Sequence, residues 1–165
     1  MTETEKNLRE AFAGESQANR KYLAFAKQAE MEGLKQVALL FRAAAEAETV
    51  HAHAHLRALG GIKKTVENLK EAISGETHEF KNMYPKMIQQ AIADGDKVAE
   101  RSFRYANEVE KVHAELYTKM LNSLDNLPDI QCYYVCPVCG YTVENEAPET
   151  CPVCNAKGKV FIKIQ

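Results

Sequence analysis

The sequence predicts a mainly α protein: a four-helix bundle followed by a small β module built on metal knuckles. Three observations predict it. Residues 1–131 contain no cysteine, whereas all five cysteines lie between Cys132 and Cys154. Four of those five form two Cys-x-x-Cys pairs, Cys136/Cys139 and Cys151/Cys154. The Cys-free part reads as long amphipathic segments in which Ala, Leu, Glu and Gln recur.

Each element follows from local signals. Thr2 with Glu5 makes a capping box, and no proline interrupts the run to Met31, so a first helix is expected there, ended by Gly33. Leu34 to Leu59 is a second helix, stopped by Gly60-Gly61. The short connection makes the pair antiparallel. Thr65 to Ile73 is expected as a short helix before Ser74-Gly75 opens the third long one, which ends near Asp94-Gly95 and is kinked at Pro85. The fourth runs from Asp96 to Leu124, where Asn126-Leu127-Pro128 breaks it. In the tail, Cys132 to Val135 and Val160 to Ile164 are expected as short strands. The domains predicted are 1–128 and 129–165. The second is too small for a core of its own, so a metal is part of its fold.

Composition narrows the function. The 165 residues are 45% hydrophobic and carry a net charge of -2, which gives no basic footprint for nucleic acid. The longest apolar run, Val37 to Phe41, is far short of a membrane span. The polar start Met1 to Lys6 lacks a secretory signal, so a cytoplasmic location is expected.

The inward seams of the helices alternate steps of three and four residues. They carry Glu15, Asn19 and Tyr22 on the first helix, Glu48, His51 and His55 on the second, Glu76, Glu79 and Met83 on the third, and Glu110, His113 and Tyr117 on the fourth. Two Glu-x-x-His pairs, Glu48-His51 and Glu110-His113, together with carboxylates on the other helices, form the ligand pattern of a dinuclear metal site. Buried glutamates would be costly unless cations or other partners neutralised them. Glu46, His53 and His78 fall off the seams and are expected in solvent, and His55 is expected to pack or support rather than ligate. Four thiolates in two knuckles build a tetrahedral site that suits iron or zinc. A single iron would make the tail a one-electron carrier, with Tyr133, Tyr134, Tyr141 and Phe161 available to shield it. Cys132 is left over as a bystander thiol.

Ala13-Gly14-Glu15-Ser16-Gln17-Ala18, Gly75-Glu76-Thr77-His78-Glu79, Met83-Tyr84-Pro85 and Cys136-Pro137-Val138-Cys139-Gly140-Tyr141 resemble segments of the rubrerythrin family, in the same order and over essentially the whole chain. The resemblance implies a ferritin-like bundle with a non-haem di-iron centre and a rubredoxin-like domain with one iron on Cys136, Cys139, Cys151 and Cys154, where zinc can be mis-loaded. It implies the di-iron ligands Glu15, Glu48, Glu76, Glu79, Glu110 and His113, with His51 exchanging for Glu79 when the site is reduced. Tyr22 and Tyr84 match tyrosines near that centre. Asn155 stands where the family often has glycine, and Asn also tolerates a left-handed turn.

The function so implied is reduction of hydrogen peroxide to water in oxidative-stress defence, with electrons delivered through the iron of the four-cysteine site. No G-x-G-x-x-G fingerprint is present, so NAD(P)H would act through a separate reductase or a rubredoxin. A homodimer is expected, head-to-tail or with exchanged helices. The alternatives are a ferroxidase that handles iron and a zinc-ribbon interaction module.

Overall fold

The computed structural model describes residues 1–165. Helix α1 spans Glu3–Met31 and α2 spans Lys35–Ala58. The capping box is formed: Thr2 Oγ1 accepts from the Glu5 amide at 3.2 Å, and the Thr2 amide donates to Glu5 Oε2 at 2.7 Å. Gly33, at φ 78°, makes the left-handed residue that ends α1 and returns the chain.

These two helices form one of two compact units, Met1–Lys63. Small residues line their contact, with Ala26, Ala29, Ala38, Ala45 and Ala52 buried, so the backbones approach closely. Asn19 is buried among them. Its amide donates to Ala45 O at 2.7 Å and to Thr49 Oγ1 at 2.8 Å, which pins α1 to one register on α2. Phe25, Leu39 and Leu40 remain 46%, 63% and 69% exposed, so the hairpin carries more apolar surface than its own core uses.

The second unit is Lys64–Gln165. Helix α3 spans Thr65–His78, a π-helical turn covers Glu79–Met83, α4 spans Tyr84–Ala93, and α5 spans Lys97–Asn122 with Asp96 as N-cap. The expected break at Ser74-Gly75 does not occur. A mid-helix glycine costs only about 1 kcal/mol relative to alanine, which packing against α5 offsets. The expected kink at Pro85 is taken up by the π-turn, where the Tyr84 amide donates to Glu79 O. Pro85 has no N–H and its ring would crowd the carbonyl four residues back, so widening the turn just before it relieves both problems.

The tail forms a three-stranded antiparallel sheet in the order β2-β1-β3, with β1 Tyr133–Val135, β2 Thr142–Glu144 and β3 Ile162–Ile164. Tyr134 pairs with Val143 on one side and Lys163 on the other. Strand β2 and a 3-10 turn at Gly158–Val160 were not anticipated. The fold class agrees with expectation: mainly α, with four long helical runs and a small C-terminal sheet carrying cysteine knuckles. No helix is long and apolar enough to cross a membrane.

Candidate metal centres

The two cysteine knuckles share one construction. Gly140 N donates to Cys136 O and Cys136 N to Tyr141 O, and in the second knuckle Asn155 N donates to Cys151 O and Cys151 N to Ala156 O. The residue after each second cysteine is left-handed, Gly140 at φ 87° and Asn155 at φ 62°, so asparagine does serve the turn. Cys136 and Cys154 Sγ are 3.5 Å apart, as are Cys139 and Cys151. A tetrahedral metal about 2.3 Å from each sulfur gives edges of roughly 3.8 Å, so the donor set fits an ion with little adjustment. Burial pushes the Cys139 and Cys154 thiols up, a penalty that a cation removes. At Cys136 burial acts in the same direction, but the amides of Val138 and Cys139 outweigh it and hold the thiol low. Tyr141 and Phe161 meet edge-on at 6.5 Å, and Cys132 is buried with its thiol against Asn145 O at 3.6 Å.

The carboxylate and histidine candidates fall into two trios, each with ligand atoms within 4.8 Å of one another. In Met1–Lys63 these are Glu15 from α1 with Glu48 and His51 from α2. His51 Nδ1 is 2.9 Å from Glu48 Oε2 and 4.0 Å from Glu15 Oε1. The His51 side chain is 56% exposed, free enough to change rotamer. The i, i+3 spacing on α2 sets Glu48 and His51 on one face.

In Lys64–Gln165 the trio is Glu76 from α3 with Glu110 and His113 from α5. His113 Nδ1 is 2.7 Å from Glu110 Oε2. Burial, together with a hydrogen bond to Glu110, raises the Glu76 carboxyl to about 7. Glu110 is held low by its bond to His113, and the same bond raises the His113 imidazole. Such mutual crowding is what a divalent cation neutralises, so the donors fit a metal here as well.

Glu79 stands outside the trio, at the start of the π-turn, with its carboxyl raised by burial and by the charge of Glu110. Tyr84 follows that turn, 6.3 Å from the ring of Phe103. Its phenol is pushed up by burial and then by Glu79, Glu110 and Glu76, so it stays protonated. Tyr22 belongs to an aromatic cluster with Phe25 and Phe41, at 6.4 and 6.1 Å. Glu46, His53 and His78 are exposed and His55 is half-buried.

One polar contact at this trio has no counterpart among the sequence-derived expectations. Thr142 Oγ1 lies 3.0 Å from His113 Nε2. A threonine 29 positions away in the chain gives no local periodic signal, so nothing in the helix pattern could have found it.

The donor sets are those of a carboxylate–histidine di-metal site and a four-cysteine rubredoxin-like site. Residues 6–121 match the family model described as rubrerythrin, and residues 134–162 match the one described as the rubrerythrin rubredoxin-like domain. Rubrerythrin-2 of Clostridium acetobutylicum is 38% identical, over 93% of this chain and 92% of that protein. Nigerythrin of Nitratidesulfovibrio vulgaris is also 38% identical, over 92% of this chain and 81% of its own length. Nigerythrin has been solved in mixed-valent and fully reduced, all-ferrous states. The mixed-valent structure matches 99% of this chain and 87% of its own at a TM-score of 0.57 and 34% identity. Matched in both its helical part and its cysteine tail, the chain belongs to the rubrerythrin family.

Proposed function

We propose that the chain is a peroxidase of oxidative-stress defence that reduces hydrogen peroxide to water, taking up two electrons and two protons per peroxide. In this reading each trio is a set of iron ligands. Glu15, Glu48, Glu76, Glu79, Glu110 and His113 hold the metals, and His51 replaces Glu79 on reduction. Iron held there would supply electrons and electrostatic stabilisation for O–O cleavage, and Cys136, Cys139, Cys151 and Cys154 would hold an iron suited to one-electron transfer.

The chain's own residues orient the substrate and manage protons. Tyr84 keeps its O–H and can donate a hydrogen bond to a peroxide oxygen. Glu79 sits on a widened helical turn, where its carboxylate has room to swing toward or away from the trio. His51, exposed and one turn from Glu48, is the matching mobile ligand. Tyr22 has a similar hydrogen-bonding role in this reading.

The observation that carries the proposal is that the cysteine tail touches the trio of Glu76, Glu110 and His113 directly, through His113 and Thr142. Iron storage has no use for an electron carrier attached in that way, which favours a peroxidase over a ferroxidase. The working domain division is 1–128 for the di-iron domain and 129–165 for the rubredoxin-like one. The thiol-rich tail suits a reducing cytoplasm, with a separate NAD(P)H-dependent reductase or a rubredoxin as donor. The exposed apolar face at Phe25, Leu39 and Leu40 supports a homodimer.

The test is anaerobic peroxide consumption by iron-loaded protein with a chemical reductant. Catalytic loss of peroxide with two electrons consumed per molecule is expected. Negligible peroxide loss, with repeated oxidation of added Fe(II) by oxygen and mineral formation, would favour the ferroxidase.

A further inference from the structure

Strand β2 of the tail lies along α5, and two polar contacts join them. Lys119 forms an ion pair with Glu144, and two turns earlier on the helix His113 Nε2 meets Thr142 Oγ1 at 3.0 Å. Thr142 Oγ1 in turn donates its single proton to Gly140 O at 3.0 Å. With that proton committed, the hydroxyl oxygen can only accept from the imidazole, so the network assigns the ring proton to Nε2. The other nitrogen, Nδ1, faces the side where Glu110 and Glu76 converge; without metal it donates its own proton to Glu110 Oε2 at 2.7 Å, and a cation bound there would take that proton's place on the Nδ1 lone pair.

A histidine binds a metal through one nitrogen only if the other is held as a donor, and the partner on that side sets both tautomer and ring angle. Here the partner comes from the tail rather than from a bundle helix. The geometry points to Thr142 as a positioning residue that fixes His113 in the Nε2–H tautomer for metal binding through Nδ1. This rests on the reading of Glu110 and His113 as metal ligands.

The surroundings explain why a fixed acceptor matters. His113 and Thr142 both line a cavity of about 300 Å³ whose other walls include Leu69, Leu116, Met120 and Tyr133. A cavity of that size admits water. Without the Thr142 hydroxyl, water would become the acceptor of the ring proton, and the imidazole would gain freedom to rotate. Valine shares the β-branched skeleton of threonine, so Thr142→Val exchanges the hydroxyl for a methyl and leaves the ring proton without its acceptor.

The experiment uses full-length, 15N-histidine-labelled protein loaded with zinc, which is diamagnetic. The wild-type spectrum is expected to show His113 Nδ1 shifted on loading and a slowly exchanging Nε2 proton. Thr142→Val is expected to speed exchange of that proton at least about tenfold and to weaken zinc retention at the histidine site by about 10-fold against a chelator, the lower end of effects for such supporting partners. Thr142→Ser is expected to restore both, and helical circular dichroism identical across the three proteins rules out misfolding as the cause. Unchanged exchange and retention in Thr142→Val would overturn the role of Thr142 while leaving the metal ligands in place. No Nδ1 shift when the wild type is loaded would remove His113 as a ligand, and this inference with it.

Discussion

Glu76 and Glu110, carried on α3 and α5, hydrogen-bond to each other through their carboxyl groups, and Glu110 is bonded on its other side to His113 at 2.7 Å. Two carboxyls this close cannot both ionise cheaply without a cation, so burial and its partner raise Glu76 from 4.5 to about 7.

A pH dependence of the metal-free protein follows. A carboxyl raised on folding stabilises the native state below its unfolded value, and that contribution is lost as pH rises through the folded one. For Glu76 the window runs from 4.5 to about 7. His113, also raised, loses its contribution in the same direction, while lowered Glu110 acts oppositely and only on the acid side. Thermal unfolding of metal-free protein should therefore show the melting temperature falling between about pH 5 and 7.5, with Glu76→Gln flattening the slope. A melting temperature that rises across this range in the wild type would contradict the pairing.

Removing one thiolate should empty the tail site. Cys154→Ser is expected to abolish the visible thiolate–iron colour, since three sulfurs no longer close the tetrahedron. Cys132→Ser should retain it, because Cys132 bonds to Asn145 O and lies outside the cluster. Absorbance of the two iron-loaded variants decides, and loss of colour in Cys132→Ser would reassign the ligands.

Asn19 holds the α1–α2 hairpin in register through two hydrogen bonds. Asn19→Ala should destabilise the fold by about 1–2 kcal/mol, the worth of buried bonds with little compensating solvation. A denaturant titration reads this as a lower midpoint, and an unchanged midpoint would mean the register is set by the alanine contacts alone.

Glu79→Ala should leave helical content unchanged and reduce peroxide turnover at least tenfold, as expected for loss of a group that acts in the reacting complex. Circular dichroism and a peroxide assay separate the two effects. Full turnover in the variant would remove Glu79 from the mechanism.

Helix ends and ligand faces were legible because they are encoded locally. The box at Thr2 and Glu5, Gly33 at φ 78° and the Asp96 cap stand where their residue types require. Three- and four-residue steps put Glu48 with His51 and Glu110 with His113 on common faces, and the structure brings each pair within 3 Å. What escaped was decided by packing. Ser74-Gly75 read as a break, yet α3 continues through it, and the π-turn at Glu79–Met83 absorbs a proline that read as a kink. Thr142 belongs to a strand of three residues, too short for a period, and its partner lies on a helix 29 residues earlier.

The most direct test of electron flow from tail to di-iron centre is rapid mixing of anaerobically reduced, iron-loaded protein with stoichiometric hydrogen peroxide. The thiolate–iron colour is followed beside the same protein carrying zinc at the histidine and carboxylate sites and iron only in the tail. The account predicts that colour returns at least tenfold faster when both sites hold iron, because electrons leave the cysteine site through the di-iron centre. Colour that returns equally slowly in both preparations would contradict it.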